Sequence, residues 1–376
     1  MIAKLKDVCE FIVDCPHTTA QDEGQGYPLI RTPNIGKGRF DLDGVHRVSE
    51  DIYKKRNLRA TPQDNDLIFA REAPAGNAAI IKNGNKFCLG QRTVLIRPNP
   101  QLVCPDFLTY FLLAPQQQYG LLGTANGATV AHVNLPTIRE LEIDIPSLEE
   151  QCHIANILSA YDDLIENNQK QIKLLEEAAQ RLYKEWFVDL HFPGHENTKI
   201  VDGVPEGWSR TNINEILTFH RGYDLTKNEM KAGRYPVVGS TTVIGYHNEF
   251  KIKGPGIVTG RSGSLGKYQF IWDNFWPHNT SLYISDYKDH NIFFVYSLLQ
   301  TVDFASLNNG GAIPTLNRNV LSNIEVIEPT DELQEMFAKI AEAQYRKIRN
   351  LEKQNNQLKM ARDVLLPKLM SGEVEV

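Results

Sequence analysis

IPSLEEQCHIANILSAYDDLIENNQKQIKLLEEAAQRLYKEWF, residues 145–187, carries two patterns at once. The first is a seam. Ile154, Leu158, Tyr161, Ile165, Asn168, Ile172, Leu175, Ala179, Leu182 and Trp186 are separated alternately by four and three residues. That spacing keeps one stripe of a long helix apolar and is the repeat by which two helices interlock. Ser147 and Glu150 at its start have the form of a capping box. The second pattern is repetition. Moved on by 183 residues, the stretch lies over EPTDELQEMFAKIAEAQYRKIRNLEKQNNQLKMARDVLLPKLM, residues 328–370. Over the 62 ungapped pairs from Asn126 to Phe187 there are 17 identities, where ordinary composition gives about four. Asn126/Asn309, Gly127/Gly310, Asn134/Asn317, Pro146/Pro329 and Gln151/Gln334 are among them.

The duplication extends towards the N-terminus. DLIFAREAPAGNAAII (66–81) lies over GIVTGRSGSLGKYQFI (256–271), GQRTVLI (90–96) over PHNTSLY (277–283), and FLTYFLL (107–113) over FFVYSLL (293–299). The offsets fall from 190 through 187 and 186 to 183, the drift expected of two copies of one domain with unequal loops. Short β-type runs bounded by Gly, Pro and Asn fill 1–145 and 208–328, with a helix expected near 105–114 and 289–300. The fold class is therefore α+β: two similar β-rich domains, each followed by a long helix. The expected segments are a first domain over 1–146, its helix over 147–190 and a Gly/Pro-rich linker over 191–207. A second domain follows over 208–329, with its helix over 330–370.

The second seam runs through Phe337, Ala341, Gln344, Ile348, Leu351, Asn355, Leu358, Arg362, Leu365 and Leu369. Pro367 is expected to bend or end that helix near Leu366. Two seams at equal distance from two copies of one domain predict that the helices pair with each other. In an antiparallel coiled coil, one register aligns all ten positions, with the numbers of facing residues adding to 523. It sets Ile154 opposite Leu369, Tyr161 opposite Arg362, Trp186 opposite Phe337, and Asn168 opposite Asn355. Two facing amides satisfy each other, whereas a one-heptad slip would part them and set one against an apolar residue. The seam is about 50 Å long at 1.5 Å per residue.

Composition excludes several classes. With 41% hydrophobic and 23% charged residues, the 376-residue chain is of ordinary globular type. No run of 18 apolar residues is present to cross a membrane, and the N-terminus does not read as a signal peptide. The five cysteines form no Cys-x-x-Cys pair, so reduced thiols in a cytoplasmic protein are expected rather than a disulfide framework or a zinc site. The net charge is −6, and residues 149–200, with 5 basic against 10 acidic residues, hold most of it. The remainder is near neutral and free to present a local basic face.

IVTGRSGSLGKYQF (257–270) resembles a phosphate-binding loop but fails as one. Five residues rather than four separate Gly260 from Gly266, and Tyr268 stands where the magnesium ligand belongs. Its counterpart has Asn77 in place of Lys267, so the shared part is a strand, an arginine and a glycine turn. There is no Asn/Asp-Pro-Pro-aromatic tetrad, no GxGxxG start and no Gly-x-Ser-x-Gly elbow. NEFK (248–251) offers the Glu-x-Lys half of a nuclease motif without a partner carboxylate at suitable spacing.

This organisation resembles the specificity subunit of type I restriction–modification enzymes, most specifically in residues 145–187 and in LLPKLMSGEV (365–374). The resemblance implies that the β-rich units are target recognition domains, each reading one half of a bipartite asymmetric DNA site. It implies that the helices set the spacer and dock methyltransferase subunits, expected to be two. Adenine methylation and ATP-dependent cleavage would then belong to partner methyltransferase and restriction subunits. S-adenosylmethionine, ATP and magnesium are expected there, with no cofactor, metal or catalytic residue in this chain. The partners are double-stranded DNA and those subunits, with no membrane. The alternatives are a specificity subunit of another multisubunit methyltransferase or restriction system, a free-standing enzyme, and a coiled-coil scaffold that binds only proteins.

Phosphate contacts position a protein on DNA and base-edge contacts specify sequence. Candidates for positioning are Arg71 and Arg261 beside their glycine turns, Lys267, and the cluster Lys54, Lys55, Arg56 and Arg59. Arg71 and Arg261 could equally brace their own domains. Base reading requires residues that differ between the copies. Gln91-Arg92 against His278-Asn279, beside Thr93/Thr280, is such a place, since Arg suits guanine and Asn or Gln suits adenine. The aromatics of YQFIWDNFW (268–276) read as core or as stacking platforms.

Overall fold

The computed structural model describes residues 2–123, 132–261, 266–302 and 324–375. Asn126, Gly127, Gly263, Asn309, Gly310 and Asn317, singled out above, lie outside them. The chain forms two compact units: Met1–Gln169 with Lys353–Val376, and Lys170–Glu352. Each contains one β-rich domain and one stretch of each long helix, so the helices belong to both units instead of forming segments of their own.

In the first unit a four-stranded sheet is built from β1 (Cys9–Asp14), β3 (Leu67–Ala70), β4 (Ala78–Ile80) and β5 (Thr93–Pro98), in the order β1-β5-β3-β4. Between β1 and β3 in the chain, β2 (Tyr27–Ile30) belongs to a separate three-stranded sheet, where it runs parallel to Cys88–Leu89. The LIFA run of β3 is buried at all four positions, as a continuous apolar strand inside a sheet must be. Helix α1 (Pro105–Leu113) buries Phe107, Leu108, Tyr110, Phe111 and Leu112. They join one core with Leu67, Phe69, Val94 and Ile96 of the sheet, Ile154 and Leu158 of α2 (Leu148–Phe187), and Leu366 and Leu369 near the C-terminus.

The second unit repeats the plan. Strands β6 (Thr218–Arg221), β8 (Gly256–Gly260), β9 (Tyr268–Ile271) and β10 (Ser281–Asp286) pair in the order β6-β10-β8-β9. Strand β7 (Tyr235–Val238) runs parallel to Trp276–Pro277, as β2 does to Cys88–Leu89. Helix α3 (Ile292–Thr301) packs on this sheet, and α4 (Asp331–Met370) closes the chain. Phe270 stacks on Phe293 with centroids 5.3 Å apart, and Phe275 is fully buried, so these two aromatics of 268–276 are core.

The repeated residues at the helix starts have a structural task. Gln151 Nε2 donates to the Pro146 carbonyl at 3.0 Å, and Gln334 Nε2 to the Pro329 carbonyl at 2.9 Å. Both glutamines are buried. Ser147 Oγ accepts from the Glu150 amide at 3.2 Å, as a helix cap does. The expected break at Pro367 does not occur. Helix α4 carries Pro367 inside its last turn and ends at Met370. A proline one turn from a C-terminus removes a single ladder hydrogen bond, and the burial of Leu366 and Leu369 holds that turn in place.

The register of the helices follows the seam. In the first unit Asn168 Nδ2 donates to Asn355 Oδ1 at 3.0 Å, both side chains being buried. In the second, Trp186 meets Phe337 edge-on at 6.2 Å. Arg362 departs from expectation: it is bound to Asp162, the neighbour of Tyr161. Asp162 is 3% exposed and also accepts from the Tyr110 hydroxyl at 2.6 Å, which ties α1 to α2 and α4. Gly38, at φ +89°, makes room for this group, because a Cβ there would lie 2.9 Å from Asp162 Oδ2. In the second unit the counterparts of Tyr110 and Asp162 are Tyr296 and Tyr345, which meet edge-on at 5.2 Å. One domain rests on its helices through a buried ion pair and the other through aromatic contact.

Two stability predictions follow from this packing. Asn168→Leu should cost about 1–3 kcal/mol by leaving the Asn355 amide unsatisfied, while Asn168→Leu with Asn355→Leu should recover wild-type stability or exceed it. Equal loss in the single and double variants, measured by urea unfolding, would show that the amides do not act as a pair. Asp162→Ala should cost about 3–5 kcal/mol, because it leaves the Tyr110 hydroxyl without its acceptor and the Arg362 guanidinium with only the half-exposed Asp363 carboxylate. A loss below about 1 kcal/mol would show that the charge at Arg362 is met elsewhere.

Candidate functional site

The strand ladders correct one of the sequence offsets. Phe69 pairs with Val94 and Ala70 with Thr93, while Thr259 pairs with Leu282 and Gly260 with Ser281. The counterpart of Thr93 is therefore Ser281, not Thr280, and the offset at this strand is 188. Side chains agree: Thr93 Oγ1 donates to the Gly90 carbonyl at 2.9 Å, and Ser281 Oγ to the His278 carbonyl at 2.7 Å. Gln91-Arg92 thus stands opposite Asn279-Thr280, with His278 opposite Gly90. The shared threonine had drawn the alignment one residue too far.

In the first domain, the turn before β5 and the ends of β1 and β3 bring Gln91, Arg92 and Arg71 together. Arg71 is nearly buried and fully engaged. Its Nη1 donates to Asp14 Oδ2 at 2.7 Å, its Nε to the Val133 carbonyl at 2.9 Å, and its Nη2 lies 3.0 Å from His132 Nε2. His132 in turn contacts Glu72, and Glu72 holds Arg92 Nε at 2.9 Å. Arg92 is exposed and sits at φ +66°, a left-handed turn position that directs it outward. Gln91 Oε1 accepts from the Thr19 hydroxyl at 3.1 Å. Arg71 is thus a brace that shapes this sheet end, and Arg92 and Gln91 present polar groups at it.

The basic cluster of the first domain divides in the same way. Arg56 is 6% exposed and donates to the Leu89 and Thr18 carbonyls, each at 2.7 Å, so it holds a loop against a strand. Arg59 Nη1 donates to the Asp14 carbonyl at 3.0 Å. Lys54 and Lys55 are exposed, and Lys54 pairs with Glu50 at 2.9 Å one turn earlier. Lys54, Lys55 and Arg59 keep their charges at the surface, and Arg56 does not.

In the second domain the corresponding sheet end collects Arg261, His278 and Asn279. The Arg261 amide donates to the Thr280 carbonyl at 3.1 Å, as the Arg71 amide donates to that of Arg92 at 3.0 Å. His278 Nδ1 lies 3.0 Å from the Thr280 hydroxyl, and Asn279 Nδ2 donates to Asp224. Lys267 is exposed on the β8–β9 turn, where its carbonyl accepts from Thr259 Oγ1 at 3.0 Å.

Sequence reasoning missed Asp14, Glu72 and His132 in the first domain and Arg221 and Asp224 in the second. A partial signal was present: YPLI of β2 and YPVV of β7 are equivalent strands, and aligning them sets Asp14 opposite Gly222, one residue from Arg221, the ladder supplying the last step. Thiol chemistry is poorly served here. Burial pushes the Cys9 thiol up to about 12 and the Cys88 thiol to about 11, and it raises Cys15 and Cys104 as well. Among the described residues no group of three or more His, Cys, Asp and Glu is placed to hold a metal, and no helix is long and apolar enough to cross a membrane.

Known proteins share this plan. The family described as the type I restriction modification DNA specificity domain matches the chain twice, at residues 1–177 and 205–360. The type I restriction enzyme MjaIX specificity subunit of Methanocaldococcus jannaschii is 28% identical over 409 residues, covering 100% of this chain and 93% of its own. The HindI specificity subunit of Haemophilus influenzae is 21% identical, covering 82% of this chain and 86% of its own. The crystal structure of the type I restriction–modification S subunit from M. genitalium shares the fold, with a TM-score of 0.61 at 20% identity, over 98% of this chain and 95% of that one. Two copies of one sheet, each joined to a long helix and each matched by that family, lead to one assignment: the chain belongs to the type I restriction–modification DNA specificity family, as a non-catalytic specificity subunit with two target recognition domains.

Proposed function

We propose that each target recognition domain reads one half of a bipartite, asymmetric site in double-stranded DNA. The observation that carries this reading is the pair of equivalent sheet ends, alike in backbone and unlike in side chains. Backbone bonds recur at the turns before β5 and β10, yet Gln91 and Arg92 of one copy correspond to Asn279 and Thr280 of the other. A shared frame with unlike polar groups is what two different half-sites demand. In this reading Gln91 and Arg92 contact bases in one half, and His278 and Asn279 in the other. Lys54, Lys55 and Lys267 contact phosphates. Arg71 and Arg56 shape the first domain from within, and exposed Arg59 stays available to a phosphate.

The paired helices set the unread spacer and dock the methyltransferase subunits, expected to be two, with restriction subunits completing the complex. S-adenosylmethionine, ATP and magnesium act on those partners. Support for the spacer role comes from the register itself, since a seam fixed by facing asparagines makes a stiff connection of defined length. The domain limits in this reading are 1–146 and 208–329.

Exchange of residues 1–146 for the same segment of a relative with a known site should change one half of the methylated motif and leave the other half and the spacer intact. A change in both halves, or in neither, would defeat the modular reading. Within one half, Arg92→Ala should relax the base preference at one position, at a cost of about 1–3 kcal/mol against the cognate base. A uniform loss of affinity over all sequences would instead mark Arg92 as a phosphate contact.

A further inference from the structure

We propose that the second domain holds a phosphate group between Arg221 and Arg261, at a place where the first domain neutralises itself. The strand ladders define the equivalence. Asp14 pairs with Val94 across β1 and β5, and Arg221 pairs with Leu282 across β6 and β10. Val94 and Leu282 are equivalent, since they face Phe69 and Thr259 respectively. The next backbone bonds agree: the Cys15 amide donates to the Thr93 carbonyl at 3.1 Å, and the Gly222 amide to that of Ser281 at 3.0 Å. Arg221 therefore occupies the ladder position of Asp14, and Arg261 that of Arg71.

Side chains at these two positions are within reach of each other. In the first domain they touch, Arg71 Nη1 to Asp14 Oδ2 at 2.7 Å. In the second, both positions carry a guanidinium. The acid that follows Arg71, Glu72, has a serine as its sequence counterpart. Over the positions of Asp14, Arg71, Glu72 and Arg92 the first copy has net charge zero, while their counterparts Arg221, Arg261, Ser262 and Thr280 have +2. Asp224 offsets part of this: its Oδ1 lies 3.6 Å from Arg221 Nη2 and also accepts from Asn279. That carboxylate is 78% exposed and too loosely placed to serve two guanidiniums. Two arginines at the positions whose side chains touch in the first domain suit an oxyanion with several acceptor oxygens, which takes donors from both forks at once.

The anion site stands on this geometry alone. Its identification with a DNA backbone phosphate rests on the reading of function above, and free phosphate is the other source of the same chemistry. The test uses the full chain in two arms. In the first, the melting temperature is followed as inorganic phosphate replaces chloride at constant ionic strength. Wild type should rise with phosphate, and Arg221→Asp, which rebuilds the ion pair of the first domain, should lose that rise while melting in chloride no lower than wild type. Arg221→Gln, which carries no new charge, should also lose it. An equal rise in all three proteins would overturn the site. In the second arm, duplex affinity is measured against salt. Arg221→Asp should flatten the slope of log K on log salt by about one phosphate, roughly 0.9. A slope unchanged by the substitution, with the phosphate response lost, would keep the site and assign it to free phosphate. Absence of duplex binding by wild type, with the phosphate response present, would defeat the DNA reading and leave the anion site standing.

Discussion

Two buried amides fix the register of this protein. Asn168 and Asn355 donate and accept across the helix pair, and each is the one asparagine of its seam. A slip by a heptad would break the pair and set one amide against Ile348 or Leu175, at about 1–3 kcal/mol for an unsatisfied group. In the first unit, that register brings Arg362 to Asp162, and with it the hydroxyl of Tyr110 from the sheet-packing helix. In the second it brings Phe337 against Trp186 and Tyr183. The amides add little stability as a pair, but they decide which residues the rest of each unit meets.

Duplication has kept the backbone and released the side chains. The hydroxyl that caps the last sheet strand is threonine in one copy and serine in the other, bonded to the same carbonyl position. The strand order is the same in both sheets. The chemistry at equivalent places is not. A tyrosine–aspartate–arginine contact in one copy becomes a tyrosine–tyrosine contact in the other, and an aspartate–arginine pair becomes two arginines. The copies have thus diverged both at a buried contact and at the sheet end.

Much of this was legible in the sequence, because local period and repetition are written along the chain. Helices of 40 residues, their facing asparagines and the two internal helices all follow from spacing. The sites were less legible, for a physical reason. Arg71 meets Asp14 and His132, 57 and 61 residues away, and nothing local separates an arginine braced from within from one that faces solvent. Arg56 is a second case, since a residue in a basic run looks solvated until carbonyls are found around it. The offset at β10 failed by one residue because a chance threonine identity outweighed the ladder. Pro367 failed because the cost of a proline depends on how much helix remains beyond it.

The central claim is that one chain carries two independent readers of DNA. Its most direct test is single-molecule sequencing of methylated adenine in cells that express the chain with the methyltransferase and restriction subunits proposed as its partners. The account predicts a motif of two short specified segments that differ in sequence, separated by a constant run of unspecified bases. A continuous motif, or two segments that are copies of each other, would contradict it.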